Sequence, residues 1–209
     1  LDAMQTAAVE AGFRRLLGYA VSPVAPGRRL VPPTGAGSVP AENREVRFLL
    51  AHGFRLEQVT RASRFALPAD LDDLQARRAA AAAVSEGAYR IHTWTGPTPE
   101  RWLADQAELY TRMSTEEPTA GLEQPEDPWD IDRVREYDAL QDAGPRTTLT
   151  AAAEHVATGR LAAFTQLAVP ADPARPASQE DTLVLREHRG NRLGMLLKVE
   201  NLLALERAS

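Results

Sequence analysis

The chain has 209 residues, room for one large domain or two small ones, and its 44% hydrophobic and 25% charged content is that of a soluble globular protein. A net charge of −5 and a pI near 5.5 argue against nucleic-acid binding, which asks for a basic face, and the lack of cysteine excludes disulfide frameworks and thiol nucleophiles while fitting a cytoplasmic setting. No apolar run approaches the roughly 18 residues of a membrane span, and no signal peptide opens the chain.

Residues 1–10 have helical composition, with Gly12 placed as a C-cap. Residues 13–21 then read as a strand on Leu16, Leu17, Tyr19 and Val21. Residues 22–40 are rich in proline and glycine and read as a long irregular loop. A helix over 43–52 carries Val46, Leu49 and Leu50 at helical spacing and is stopped by Gly53; strands are predicted at 55–59 and 61–67. The alanine-rich stretch 68–87, with Asp70, Asp72 and Asp73 at its start, reads as a helical connector.

Residues 89–95 are the next strand, and 96–99 a turn in which Thr98 is placed to cap a helix and Pro99 to open it. That helix, to about residue 115, buries Trp102, Leu103, Ala107, Leu109 and Tyr110. An acidic loop at 118–128 precedes an amphipathic helix at 129–143 with Ile131, Val134, Tyr137 and Leu140. Two strands, 147–155 and 161–169, flank a tight turn, and a proline-bearing loop follows at 170–178.

The most informative stretch is the last one. A short strand at 182–185 breaks into a charged loop, and from Leu193 the period turns helical, with Leu196, Val199 and Leu203 on one side and Lys198, Glu200, Asn201 and Glu206 opposite. Such a junction offers unpaired backbone N–H groups and a positive dipole end, which together make an anion site. Its loop, Arg189-Gly190-Asn191-Arg192-Leu193-Gly194, resembles the pyrophosphate loop of GNAT acyltransferases, Gln/Arg-x-x-Gly-x-Gly/Ala, with Arg192 standing where the family has its middle glycine. The order strand, two helices, three strands, helix over 89–209 resembles the opening of a GNAT domain. Helix, Gly53-Phe54, strand, strand over 1–67 resembles the close of another. A "Met-Ser-Thr" segment at Met113 to Thr115 and "Glu-His-Arg-Gly-x-Arg-Leu-Gly" at Glu187 to Gly194 resemble bacterial tandem acetyltransferases of this family.

The resemblance implies an α+β fold with a twisted, mostly antiparallel sheet flanked by helices. It also implies a division into 1–67 (the end of a first module), 68–88 (a connector) and 89–209 (the start of a second), the chain being a piece of a longer protein. It implies acetyl-CoA as co-substrate and a small-molecule or peptide amine as acceptor. The pantetheine would meet the backbone of Leu183, Val184 and Leu185, and the pyrophosphate the loop residues Arg189, Gly190, Asn191, Arg192, Leu193 and Gly194. The position of the family's tyrosine acid is taken by Leu49, which donates no proton.

For a general base the carboxylates on or near the central strands are Glu180, Asp181 and Glu154. His52, His92, His155 and His188 show no metal-ligand spacing, so no metal is expected, and no Gly-x-Ser-x-Gly elbow supports a hydrolase. Three functions remain open: an acetyl-CoA-dependent N-acyltransferase, a degenerate module that binds acyl-CoA or a protein partner without turnover, and a mixed α/β scaffold for protein contacts. Two half-modules would each expose a sheet edge. The expected remedy is pairing of the 16–21 strand beside 182–185, within one chain or swapped in a homodimer.

Overall fold

The computed structural model describes residues 2–85, 87–116 and 125–208, which divide into two compact units, Leu1–Arg64 in the first and Phe65–Glu117 with Pro125–Ser209 in the second. The expected acidic loop at 118–128 lies outside the described residues as far as residue 124.

In the first unit, helix α1 (Asp2–Glu10) and helix α2 (Arg44–Ala51) end alike. Gly12 and Gly53 take φ of 82° and 80°, and the amides of Phe13 and Phe54 reach back to Ala8 O and Leu49 O. A glycine that turns left-handed and lets the next amide collect a stranded carbonyl is the usual physical stop of a helix. A two-residue ladder, β1 (Arg29–Leu30) with β2 (Val39–Pro40), is pinned by Arg29, whose Nη2 donates to Ser38 O at 2.7 Å. The strands predicted at 13–21, 55–59 and 61–67 do not form. Tyr19 and Val21 are 88% and 92% exposed, and with no ladder to join, their β propensity has nothing to act on. The expected pairing of 16–21 beside 182–185 therefore has no strand to make it.

The second unit carries the sheet. Its elements run α3 (Leu71–Ala82), β3 (Tyr89–Thr95), a 3₁₀ turn (Glu100–Trp102), α4 (Leu103–Glu116), α5 (Ile131–Asp142), β4 (Arg146–His155), β5 (Arg160–Pro170), β6 (Ser178–Val184), a second 3₁₀ turn (Arg186–His188) and α6 (Leu193–Ala208). The four strands pair in the order β3-β4-β5-β6, antiparallel throughout, so the fold is α+β with an antiparallel sheet between helices.

Alternation along the central strands divides the layers. Ala152, Phe164, Leu183 and Leu185 face α4 and α5, joining Trp102, Leu103, Ala107, Leu109, Tyr110 and Val134 in the main core. Ala151, Ala153 and Ala163 face the other way, against Leu193 and Leu197 of α6. Alanine at these fully buried positions lets α6 lie close on the strands. Asp105 ties α4 to the sheet, accepting from Leu161 N at 2.9 Å and from Arg160.

Four local expectations change. Thr98 caps nothing: its amide donates to the buried Asp138 at 2.8 Å, and the chain enters α4 through the 3₁₀ turn. On α5, Leu140 is 74% exposed and Asp138 is buried in its stead. The 68–87 helix packs Leu74 against Val199 and Leu203, with Arg78 bonded to Glu200 at 2.5 Å, so α3 lies on α6 within the second unit. Glu200 and Asn201, placed by periodicity on an outer face, are buried because α6 has the sheet on one side and α3 on another. Among the described residues no helix is long and apolar enough to cross a membrane.

Candidate functional site

The residues between β6 and α6 build the site. Leu185 N donates to Ala162 O at 3.0 Å, and the alternation of an antiparallel ladder then turns the backbone of Leu183 and Leu185 towards β5 and that of Val184 and Thr182 towards the outer edge. Among the described residues no strand pairs with that edge. Val184 O is already used, accepting from Arg189 Nε at 3.1 Å. Of the three backbone positions expected to meet pantetheine, Val184 alone faces outward.

After the turn at Arg186–His188 the chain is extended at Arg189 and then twice left-handed, at Gly190 (φ 87°) and Arg192 (φ 53°). Glycine does this freely; arginine at positive φ is strained by about 1–2 kcal/mol. The backbone N–H groups of Gly190, Asn191, Arg192, Leu193, Gly194 and Met195 find no acceptor among the described residues, and helical bonding begins with Leu196 N to Arg192 O at 3.0 Å. A run of open amides at the positive end of a 16-residue helix has the chemistry to receive an anion. Gly194 sits where α6 crosses β6, and a Cβ there would meet Val184 Cγ2 at 3.8 Å, an ordinary contact.

Side chains hold this loop from two directions. From β3, the Tyr89 hydroxyl lies 2.9 Å from His188 Nδ1 and accepts from Asn191 Nδ2 at 3.2 Å, while Asn191 Nδ2 also donates to His188 O at 3.0 Å. The His155 ring lies tilted, 56° from the plane of His188 and with centroids 4.8 Å apart. Burial, and then the charge of His155, hold the His188 imidazole below its ordinary range. The neutral ring can accept the Tyr89 proton at Nδ1. From α4, the buried Glu116 accepts from Arg186 N at 2.9 Å, Arg189 Nη2 at 3.1 Å and Arg112 Nε at 2.9 Å. Arg189 thus spends Nε and Nη2 within the protein, and Arg192 is an exposed cation at the open amides.

The candidate bases separate. Glu154 is bonded to His92 Nε2 at 2.6 Å and to Arg90 at 3.3 Å, and the His92 bond, followed by the charge of Arg90, holds its carboxyl below the usual range. Glu180 is exposed, with Arg146 at 4.0 Å. Asp181 is half-buried, and its charge adds to the burial that pushes up the hydroxyls of Tyr110 and Tyr137. Near Glu180, at the end of the sheet away from the loop, a cavity of ≈ 110 Å³ is lined by Tyr137, Asp138, Arg146 and Gln166 among others.

Three contributors escape sequence reading. Glu116 forms an i,i+4 pair with Arg112 that is visible in the sequence, but its reach to the loop is tertiary. Tyr89 reads only as the first residue of a strand. Asn201 reads as solvated, yet its Nδ2 donates to Leu149 O and Thr165 O at 3.1 Å each, beside the irregularity in the β5–β6 ladder.

No protein-family model and no curated protein matches the chain. Among solved structures it is similar to one described as a tandem GNAT protein from the clavulanic acid biosynthesis pathway (without AcCoA), at 30% identity and a TM-score of 0.47. That likeness covers 58% of this chain, which spans 34% of the length of the other.

Proposed function

We infer that the 189–194 loop binds the pyrophosphate of acetyl-CoA, and that the protein belongs among N-acyltransferases that pass the acetyl group to an amine. The observation that carries this is the open run of amides from Gly190 to Met195 at the start of α6. It supplies converging donors and a positive dipole for a charged, bridged anion. Arg192 would add its charge there, and the outward backbone of Val184 and Thr182 would take the amide-bearing pantetheine arm. In the transfer itself the amine nitrogen bonds to the acetyl carbon and the carbon–sulfur bond breaks. The proton lost by the amine ends on the thiolate, and the protein's part is positioning and proton handling. On this reading residues 89–209 are the opening part of a GNAT module, residues 68–88 a connector, and residues 1–67 the closing part of another in a bacterial tandem protein.

The test is calorimetric titration with acetyl-CoA. Gly190→Pro removes an amide and imposes φ near −65° where the loop needs 87°. Binding by the parent chain and its loss in this variant, at an unchanged fold by circular dichroism, is the expected result; equal affinity overturns the site.

A second reading, acyl-CoA binding without turnover, is favoured by Leu49, which offers no proton, and by the engagement of Glu154 with His92 and Arg90. Release of free coenzyme A across a panel of amines separates the two: rates on the order of 1–1000 per second establish the enzyme.

A further inference from the structure

We propose that Glu116 is the positioning residue of the anion loop, acting through Arg189 and the Arg186 amide, and that Arg189 is a strut of the protein rather than a ligand of the anion. The proposal rests on the reading of residues 189–194 as the pyrophosphate cradle.

The side chain of Glu116 is 4% exposed. A carboxylate that deep in a protein persists only when its oxygens are filled by donors. Oε1 takes Arg112 through Nε at 2.9 Å and Nη2 at 2.5 Å; Oε2 takes Arg186 N at 2.9 Å and Arg189 Nη2 at 3.1 Å. One oxygen is thus committed to its own helix and the other to the chain leaving β6. Arg189 completes the brace. Its Nη2 also reaches Glu116 O at 3.3 Å, and its Nε donates to Val184 O at 3.1 Å. The guanidinium therefore links the last residue of β6 to the last residue of α4, and its backbone leads directly into the left-handed Gly190. Where the open amides begin is set by where Glu116 holds Arg186 and Arg189.

The charges point the same way. Glu116 neutralises part of Arg112 and Arg189 together, and Arg189 spends Nε and Nη2 on Val184 O and Glu116, so an anion could meet it through Nη1 alone unless the buried carboxylate gave up a donor, which is costly. Arg192 and Arg186, exposed and bearing no acidic partner among the described residues, are free to serve it.

The experiment measures two things on the full chain and its variants Glu116→Gln, Glu116→Ala and Arg189→Gln. One is hydrogen exchange, in the absence of any ligand, of the hydrogen-bonded amides that frame the loop, Arg186, His188, Arg189 and Leu196; the other is the Kd for acetyl-CoA. Loss of a charged, buried hydrogen bond should raise exchange in this loop alone and weaken binding by about tenfold to a hundredfold. Glu116→Gln, which keeps the shape and one acceptor, should fall between the parent and Glu116→Ala. Arg189→Gln should raise loop exchange as well, and joining it to Glu116→Gln should add little, because both remove the same brace. The proposal is overturned if the Glu116 variants keep parent-like loop exchange. It is overturned equally if Arg189→Gln weakens binding with no rise in exchange, the signature of a direct ligand. Should Glu116→Ala fail to fold, Glu116→Gln and Arg189→Gln carry the test. If the parent chain binds no acetyl-CoA while loop exchange rises as expected, the positioning role stands and the cofactor reading falls.

Discussion

Arg192 is the residue at which local cost and proposed use meet. Its φ of 53° is one that glycine adopts freely, and the resembling family has glycine there. Arg192→Gly should relieve strain of about 1–2 kcal/mol and give part of it back as unfolded-state entropy, a net gain of up to about 1 kcal/mol in a denaturant titration. The same variant should bind acetyl-CoA more weakly, since it loses the exposed cation. Arg192→Ala, which keeps the strain, should lose affinity without the gain. His188 makes a pH prediction. Its folded pKa lies below the ordinary 6.5, so the unfolded chain takes up the proton first as pH falls. The stability it contributes is complete above 6.5 and is lost as pH drops through the folded value; the ionisable side chains around the ring are His155, Tyr89 and Glu187. Melting temperatures between about pH 7.5 and about pH 5 should fall, and less steeply in His188→Gln. The sequence showed Arg192 as a departure from a motif. That His188 is partly buried against His155 was invisible, because the two meet only when β4 and the loop reach the same end of the sheet.

Among the elements, α6 shows how far periodicity carries. Leu196, Val199 and Leu203 are buried, as their spacing implies, and Val199 and Leu203 meet α3. The face on the sheet is a second one, Leu193, Leu197 and Leu205, with Asn201 in line. A helix wanted on two sides shows a weak moment, and a polar residue inside its second stripe looks like solvent-facing residue to any pattern. Asn201→Leu removes the donor to Leu149 O and Thr165 O, and should cost about 1–3 kcal/mol with an unchanged m-value in urea. Strand β3 and the β4–β5 hairpin were legible because alternation and a Gly159 turn (φ 67°) are local signals. The strands of the first unit were misread for the complementary reason: Tyr19 and Val21 have strand chemistry, but a ladder needs a neighbour that a single stretch does not contain.

At the scale of the whole molecule the two units differ in what holds them. The second has a four-stranded sheet covered on both faces, whereas among the described residues of the first the buried hydrophobic ones are Ala41 and Val46. Trypsin should therefore cut after Arg14, Arg61 and Arg64 well before it touches the strands, leaving a resistant piece that begins near residue 65. Cleavage of β3–β6 at the same rate would count against the division.

The alanines under α6 have a geometrical consequence for the cradle. Ala151, Ala153 and Ala163 act as the thinnest available shims between helix and strands, so the height of α6 above β4 and β5 is gauged by atoms that are not there. A thicker shim would not merely strain the packing. Because Leu193 bears on this patch and is the first residue of the helix, a valine at Ala163 would tilt the leading turn away and spread its amides apart. Overpacking of this kind costs about 1–3 kcal/mol, and the loss of acetyl-CoA affinity in Ala163→Val should exceed what its melting temperature alone suggests. If residues 189–194 hold the pyrophosphate, the aperture of that site is adjustable from beneath, by a residue no ligand would touch.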